Sequence, residues 1–255
     1  MCGFTGVFNH RESGNIVEAI HRMNDSITHR GPDDSGVWVD QNARLALGHR
    51  RLSVVDLSQA GAQPMHSIDG RYVIVFNGEI YNYKDLRNQL ESQGLAPQWK
   101  GHSDTEILLA CLSVWGVETT VERAVGMFAF ALWDRNDHVL TLVRDRVGEK
   151  PLYWGWQGDM LVFGSELKAI KACPGFVGDI DRDALTLLLR HNCIPAPYSI
   201  YKGIQKLCPG HIISLPLKDL PTAKNTSSTA YWSVNQVVAK GISAPFTGSP
   251  DQAVD

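Results

Sequence analysis

The sequence predicts an α+β fold in which two packed β-sheets are covered by helices. Four short β-type runs in residues 127–163 are separated by charged or glycine-containing turns, which is typical of a meander. Helical patterns lie before this region and after it. The 255 residues, 44% of them apolar, can bury one large core or two smaller ones.

Helices are predicted from capping residues and from apolar spacing. Asn15 and Glu18 form a capping box before an amphipathic stretch. Ser103 and Glu106 form a second one, and the helix that follows should end at Gly116. Further helices are expected around residues 86–90, 121–125, 167–172 and 184–190.

Strands are predicted from apolar runs rich in β-branched and aromatic residues. Besides the meander, such runs occupy Leu45–Leu47, Arg51–Leu57 and Arg71–Asn77, and the last one should end at the turn-like pair Asn77-Gly78. From residue 194 prolines recur and a Ser/Thr-rich patch follows. We therefore expect one folded domain at 1–193 and a connecting segment at 194–255.

Composition and charge exclude several classes of function. The net charge of −3 gives no basic surplus for nucleic acid or for an anionic membrane. No apolar run approaches the ~20 residues of a membrane span, and no secretory leader opens the sequence, so we expect a cytoplasmic protein. Its five cysteines are scattered without ligand spacing, so no disulfide framework and no metal site are expected.

Cys2 is the first candidate for catalysis. Removal of Met1 would leave a thiol and a free α-amino group on the same residue. A thiol is a strong nucleophile, and an α-amino group with a pKa of ~7.7–8.0 can accept and return protons near neutral pH. A cysteine can also follow the initiator methionine by chance, so the other residues must decide between the two interpretations.

A thiolate that attacks an amide carbonyl needs hydrogen-bond donors for the developing oxyanion. Asn77 offers a carboxamide N–H₂, and Gly78 offers a backbone N–H that a substrate can approach closely. An Asn-Gly pair is also a common hairpin turn, but the residues that follow have a helical pattern, which weakens that alternative.

An amino-acid substrate also carries an α-carboxylate and an α-ammonium group. Arg51 is the candidate for the carboxylate, because a guanidinium binds carboxylates in a bidentate manner, and Asp104 is the candidate for the ammonium. Arg51 could instead be a solvated charge on an edge strand. Asp104 could instead stabilise the first turn of its helix through the helix dipole.

Eight motifs follow one another along the chain: Cys2–Val7, His29–Asp33, Arg51–Asp56, Gly61–Met65, Asn77–Asn82, Ser103–Glu106, Gly126–Ala131 and Arg144–Tyr153. In this order they resemble the N-terminal glutaminase domain of glutamine-hydrolysing asparagine synthetases. The resemblance covers nearly the whole chain, because residues 206–211 also resemble the end of that domain.

The resemblance implies an N-terminal-nucleophile (Ntn) hydrolase fold, a four-layer α/β/β/α sandwich of two antiparallel sheets, and a class II glutamine amidotransferase. It implies that Cys2 is the nucleophile, that Asn77 and Gly78 form the oxyanion hole, and that further residues bind glutamine. These further residues are Arg51, Leu52, Val54, Val55, Glu79 and Asp104.

The implied reaction is hydrolysis of glutamine to glutamate and ammonia through a γ-glutamyl thioester, and no metal or cofactor is implied for this domain. The ammonia would serve an ATP-dependent ligase that converts aspartate to asparagine. ATP and Mg²⁺ would belong to a C-terminal synthetase domain, because no Ser-Gly-Gly-x-Asp-Ser loop lies within 1–255. A homodimer is one assembly that we consider. A sugar or peptide acceptor, or an inactive glutamine-binding domain, remain alternatives.

Overall fold

The computed structural model describes residues 2–10, 15–53, 58–249 and 252. Twelve strands and eight α-helices lie within this part of the chain. The strands are β1 (Gly3–Asn9), β2 (Asp34–Asp40), β3 (Leu45–Arg51), β4 (Met65–His66), β5 (Tyr72–Ile80), β6 (Gly126–Asp134), β7 (Val139–Arg144), β8 (Tyr153–Gln157), β9 (Met160–Gly164), β10 (Ile204–Lys206), β11 (His211–Pro216) and β12 (Thr229–Ala230). The helices are α1 (Ile16–Asp25), α2 (Tyr83–Ser92), α3 (Asp104–Trp115), α4 (Val117–Arg123), α5 (Leu167–Lys171), α6 (Arg182–His191), α7 (Leu220–Asn225) and α8 (Val234–Ser243).

Two antiparallel sheets of six strands form the centre of the molecule. The first sheet has the strand order β10-β8-β9-β1-β3-β2, and the second has the order β12-β11-β7-β6-β5-β4. A core of large side chains from both sheets, including Phe4, Leu47, Trp133 and Phe163, fills the space between them. Burial of this apolar surface holds the two sheets face to face.

Helices cover the outer faces of both sheets. The face of α1 that carries Ile20 and Met23 packs on the first sheet together with α5. Leu86 of α2 and Leu108 of α3 pack on the second sheet, with α4 beside them. The predicted α+β sandwich with four layers, α/β/β/α, is confirmed.

Both predicted capping boxes begin helices. The Asn15 side chain accepts a hydrogen bond from the Glu18 N–H at the start of α1, and the Ser103 side chain accepts one from the Glu106 N–H at the start of α3. Gly116 follows the last residue of α3, as the sequence predicts. These caps satisfy N–H groups that have no partner within the helix.

The strand predictions near the site need correction. β5 does not end at Asn77: it continues to Ile80, because residues 77–80 pair with β6 in an unbroken antiparallel register. β3 is one continuous strand that ends at Arg51, and residues 54–57 of the second predicted strand lie outside the described residues. β2, which pairs with β3 over its whole length, was not predicted.

Residues 204–230, predicted as part of a connecting segment at 194–255, contain strands of both sheets. β10 pairs with β8 in the first sheet, and β11 pairs with β7 in the second. Leu207, Ile213 and Leu215 enter the core between the sheets. Pro209 lies before β11, and Pro216 is the last residue of β11; prolines at both positions are compatible with strand pairing. Among the described residues, no helix has the length and apolar character needed to span a bilayer.

Candidate active site

The predicted site residues that the structure describes line a single cleft. The cleft lies where β1, β3 and β5 meet the beginning of α3. Val54 and Val55 lie outside the described residues, so their predicted role stays a prediction. The predicted residues in the cleft are Cys2, Arg51, Leu52, Asn77, Gly78, Glu79 and Asp104.

The antiparallel register of β1 and β3 brings Cys2 to the cleft. Gly3 pairs with Arg50, so Cys2 lies beside the end of β3. The Leu52 N–H donates to the Cys2 Sγ at 3.3 Å, and the same sulfur lies 3.5 Å from the Leu52 carbonyl oxygen. The Arg30 Nε–H donates to the Cys2 carbonyl at 2.9 Å. Both the thiol and the main chain of Cys2 are therefore held in place from neighbouring segments.

Asn77 places its side-chain amide in a buried position beside the cleft. Its side chain is 1% exposed, and within the described part of the chain its Nδ2 has no hydrogen-bond acceptor. Leaving a buried donor unpaired costs about 1–3 kcal/mol. A group that lines the cleft and needs an acceptor is suited to bind an oxygen atom of a ligand.

The backbone N–H of Gly78 points to the open edge of β5. Opposite Gly78, the Phe128 N–H and C=O are both bonded to Asp145, on the far side of β6. Gly78 and Phe128 thus form a pair without mutual hydrogen bonds, and Gly78 directs its N–H away from β6. A Cβ atom at residue 78 would lie 2.3 Å from the Met127 carbonyl oxygen, so only glycine fits here.

Asp104 is a buried carboxyl at the first position of α3. Its Oδ2 accepts a hydrogen bond from the Ile80 N–H at 2.9 Å, which joins the helix to the end of β5. Burial raises the pKa of Asp104, and the nearby Glu79 raises it further, whereas the hydrogen bond from Ile80 lowers it. The residue therefore does more than stabilise the helix dipole.

Arg51 is buried instead of being a solvated charge on an edge strand. Its strand, β3, lies between β1 and β2, and the residue is only 7% exposed. Its NH1 donates to the Ser58 carbonyl at 3.0 Å and lies 4.0 Å from the Asp34 carboxylate. A buried guanidinium at the wall of a cleft is suited to bind an anionic group.

Four polar residues of the cleft were not predicted as site residues from the sequence: Gln63, Ser103, Thr105 and Lys150. Lys150 lies in a charged stretch that is usually typical of a solvated surface, yet it is 4% exposed. The reason is the neighbouring Asp145, which is fully buried and accepts hydrogen bonds from five backbone N–H groups. A glutamine that precedes a proline, as Gln63 does, gives no signal of catalysis by itself.

Comparison with known proteins identifies the family. Residues 1–232 match the family model described as a glutamine amidotransferase domain. The chain belongs to this family. The resemblance stated from the sequence motifs is thereby confirmed, as is the assignment to glutamine amidotransferases.

The curated relatives of this amidotransferase domain include several asparagine synthetases. It is 40% identical to "Asparagine synthetase [glutamine-hydrolyzing] 1" of Bacillus subtilis over 213 residues. This alignment covers 82% of this chain and 33% of the relative. It is 36% identical to a putative asparagine synthetase of Methanocaldococcus jannaschii over 225 residues, 81% of this chain and 42% of the relative. "Amidase chry2" of Gibberella zeae is 32% identical over 223 residues, 84% of this chain and 32% of the relative. The chain thus spans between 32% and 42% of the length of these relatives.

The fold is shared with another amidotransferase. The glutamine phosphoribosylpyrophosphate amidotransferase of B. subtilis aligns with a TM-score of 0.63 and 20% identity, over 91% of this chain and 50% of that one. An enzyme of purine biosynthesis aligns with a TM-score of 0.61 and 19% identity, over 91% and 49%. These similarities concern the fold and carry no information about the acceptor of the ammonia.

Proposed function

We propose that this domain hydrolyses glutamine to glutamate and ammonia, with Cys2 as the nucleophile. The observation that supports it is the arrangement around the cleft. The Cys2 sulfur, the unpaired Asn77 amide and the open-edge N–H of Gly78 all line the same space. A nucleophile with two donors nearby is what acyl transfer requires.

In the proposed first step, the Cys2 thiolate attacks the side-chain carbonyl carbon of glutamine. The C–S bond forms as the carbonyl π electrons move to the oxygen, which accepts hydrogen bonds from Asn77 Nδ2 and Gly78 N. The Leu52 N–H, 3.3 Å from the sulfur, stabilises the thiolate before the attack. The C–N bond then breaks, and the α-amino group of Cys2, freed by loss of Met1, delivers the proton that ammonia needs to leave.

The γ-glutamyl thioester that remains is hydrolysed in the second step. Water adds to the thioester carbonyl while the α-amino group accepts its proton, and collapse of the intermediate breaks the C–S bond. Glutamate leaves and the thiolate is restored. The same two donors serve both steps, since each passes through an oxyanion at the same carbon.

The ends of the substrate are assigned by charge. The Arg51 guanidinium would bind the α-carboxylate, and Asp104 with Glu79 would bind the α-ammonium group. An ammonium beside Asp104 favours the ionised carboxylate and so opposes the effect of burial on its pKa. Val54, Val55 and Leu52 are assigned to the glutamine site on the resemblance.

We further propose that the ammonia serves an ATP-dependent conversion of aspartate to asparagine by a longer protein, in the cytoplasm, with a homodimer as one possible assembly. Supporting this, the aligned region covers only 33% and 42% of two relatives named asparagine synthetases. ATP and Mg²⁺ are assigned to the synthetase part. Among the described residues no cluster of three or more His, Cys, Asp or Glu could hold a metal ion, and no step above uses one. The similarity to "Amidase chry2" keeps a different acceptor as the second candidate.

The test is a glutaminase assay on protein whose intact mass shows that Met1 has been removed. The wild type should release equal amounts of glutamate and ammonia, and hydroxylamine should trap the thioester as γ-glutamyl hydroxamate. Cys2→Ala should abolish all three products while circular dichroism shows an unchanged fold. Absence of ammonia from the processed wild type would refute the proposal and would support a glutamine-binding domain without turnover.

A further inference from the structure

The strand that carries the candidate oxyanion hole has an unusual edge. β4 pairs only with Val73 and Ile74 of β5, and beyond them none of the described strands lies along this edge. Along the register with β6, the odd-numbered residues Asn77 and Glu79 occupy the hydrogen-bonded pairs. The backbone N–H and C=O groups of Phe76, Gly78 and Ile80 therefore face the open edge.

Side chains from elsewhere in the fold take the place of the missing strand. The Phe76 N–H donates to Gln63 Oε1 at 2.6 Å, and the Ile80 N–H donates to Asp104 Oδ2 at 2.9 Å. The Phe76 carbonyl oxygen lies 3.0 Å from His49 Nε2. A carbonyl can only accept, so the neutral His49 ring carries its proton on Nε2 and donates. Gly78, between the two bonded positions, keeps its N–H directed into the cleft.

His49 reaches Phe76 from the other sheet. It lies on β3 and is fully buried, two residues after Leu47, whose side chain belongs to the core between the sheets. It is not among the residues that line the cleft, so we assign it no contact with the substrate. Burial lowers the pKa of His49 to about 4, and the nearby Arg51 also lowers it, so the ring is neutral near pH 7. The residue is therefore suited to hold a peptide group and not to transfer a proton in the reaction.

We propose that His49 is a positioning residue: it fixes the Phe76–Asn77 peptide through the Phe76 carbonyl, while Gln63 fixes the preceding peptide through the Phe76 N–H, and His49 thereby aims the two oxyanion donors. This inference rests on the proposed glutaminase function. The Phe76 carbonyl belongs to the peptide group whose nitrogen is that of Asn77, so rotation of this peptide changes the direction of the Asn77 side chain. The Nδ2 of Asn77 has no acceptor of its own among the described residues, so its direction depends on the main chain.

Substitution of His49 should affect kcat more than KM. Loss of one oxyanion donor costs ~10²–10³ in kcat, and displacement of a donor by about 1 Å can cost ~10². We expect His49→Phe, which fills the space but removes the donor, to lower kcat about 10- to 100-fold with KM changed less than about threefold. His49→Gln, which keeps an N–H donor, should recover part of this loss.

A double-mutant cycle separates positioning from a general effect on folding. In protein that already carries Asn77→Ala, His49→Phe should cause only a small further loss, because the donor that it aims is absent. The control is Leu47→Ala on the same strand, which removes core packing without touching Phe76. It should lower the melting temperature while the kcat per folded molecule stays near that of the wild type.

The outcomes distinguish this inference from the proposed function. If the processed wild type releases no ammonia, the proposed function fails and the inference fails with it. If the wild type is active and Asn77→Ala is slow, three results would overturn the inference alone: an unchanged kcat in His49→Phe, full multiplication of the two losses in the double variant, or an equal fall of kcat in Leu47→Ala.

Discussion

The buried histidine between the sheets should make the stability of the domain depend on pH. In the folded protein burial lowers the pKa of His49 from 6.5 to about 4, with Arg51 lowering it further and the Phe76 carbonyl and Asp34 acting in the opposite direction. Between these two pKa values the unfolded chain binds a proton that the folded chain excludes. The stability that depends on a neutral His49 is therefore fully present above the pKa of this residue in the unfolded chain. It is lost as the pH falls toward the pKa of His49 in the folded protein.

The magnitude follows from the size of the pKa change. One pKa unit corresponds to about 1.4 kcal/mol, so the full change from 6.5 to about 4 amounts to about 3 kcal/mol. On lowering the pH from about 7.5 to about 5, roughly 2 kcal/mol of this is lost. With an m-value of about 2 kcal/mol/M, the urea midpoint should fall by roughly 1 M on account of His49 alone.

The assay is urea unfolding at both pH values for the wild type and for His49→Gln, which does not titrate. The quantity of interest is the difference between the two proteins in their pH-dependent loss of stability, because other titrating groups contribute equally to both. His191→Gln, at an exposed position on α6, measures the effect of removing a surface histidine. If the wild type and His49→Gln lose the same stability between the two pH values, the buried neutral ring is not the cause and the reasoning is wrong.

Two further predictions concern the oxyanion hole and the loop behind it. Asn77→Ala should lower the kcat of glutamine hydrolysis by ~10²–10³ with little change in KM, because the donor acts in the transition state; steady-state kinetics check this, and an unchanged kcat contradicts the assignment. Asp145→Asn should destabilise the domain by about 2–3 kcal/mol, because its buried carboxylate accepts five backbone N–H bonds that an amide cannot all replace. Calorimetry should show a melting temperature lower by roughly 4–12 °C, whereas an unchanged value would mean that these bonds contribute no net stability.

The sequence predicts well those features that depend on neighbouring residues. The capping boxes at Asn15 and Ser103 each involve residues three apart, and both begin helices at the expected positions. Cys2, Asn77 and Asp104 could be chosen as site candidates because their chemistry is evident from residue type and from local context. The structure then places them in one cleft, although their catalytic roles stay predictions.

Features that depend on distant partners could not be predicted in this way. A strand was expected to end at Asn77-Gly78 because that pair favours turns, but pairing with β6 carries β5 on to Ile80. The charged stretch that contains Lys150 is typical of a solvated surface, and a solvated position was the alternative for Arg51, yet tertiary contacts bury both residues. β11, with Pro216 at its end, was missed because frequent prolines indicate a connection, whereas pairing with β7 stabilises a strand.

The continuation of β5 through Asn77 and Gly78 bears on how the proposed oxyanion hole works. A turn would leave the two donors on a segment that can move, whereas here one side of the strand is fixed by β6 and the other by Gln63, His49 and Asp104. Donors that are held in position before the substrate binds need no reorganisation as charge develops on the oxygen. The continuous strand is thus a better support for catalysis than the predicted turn would be. It also explains why Gly78 stands in the middle of a strand, since any side chain there would push β6 away from the strand that carries both donors.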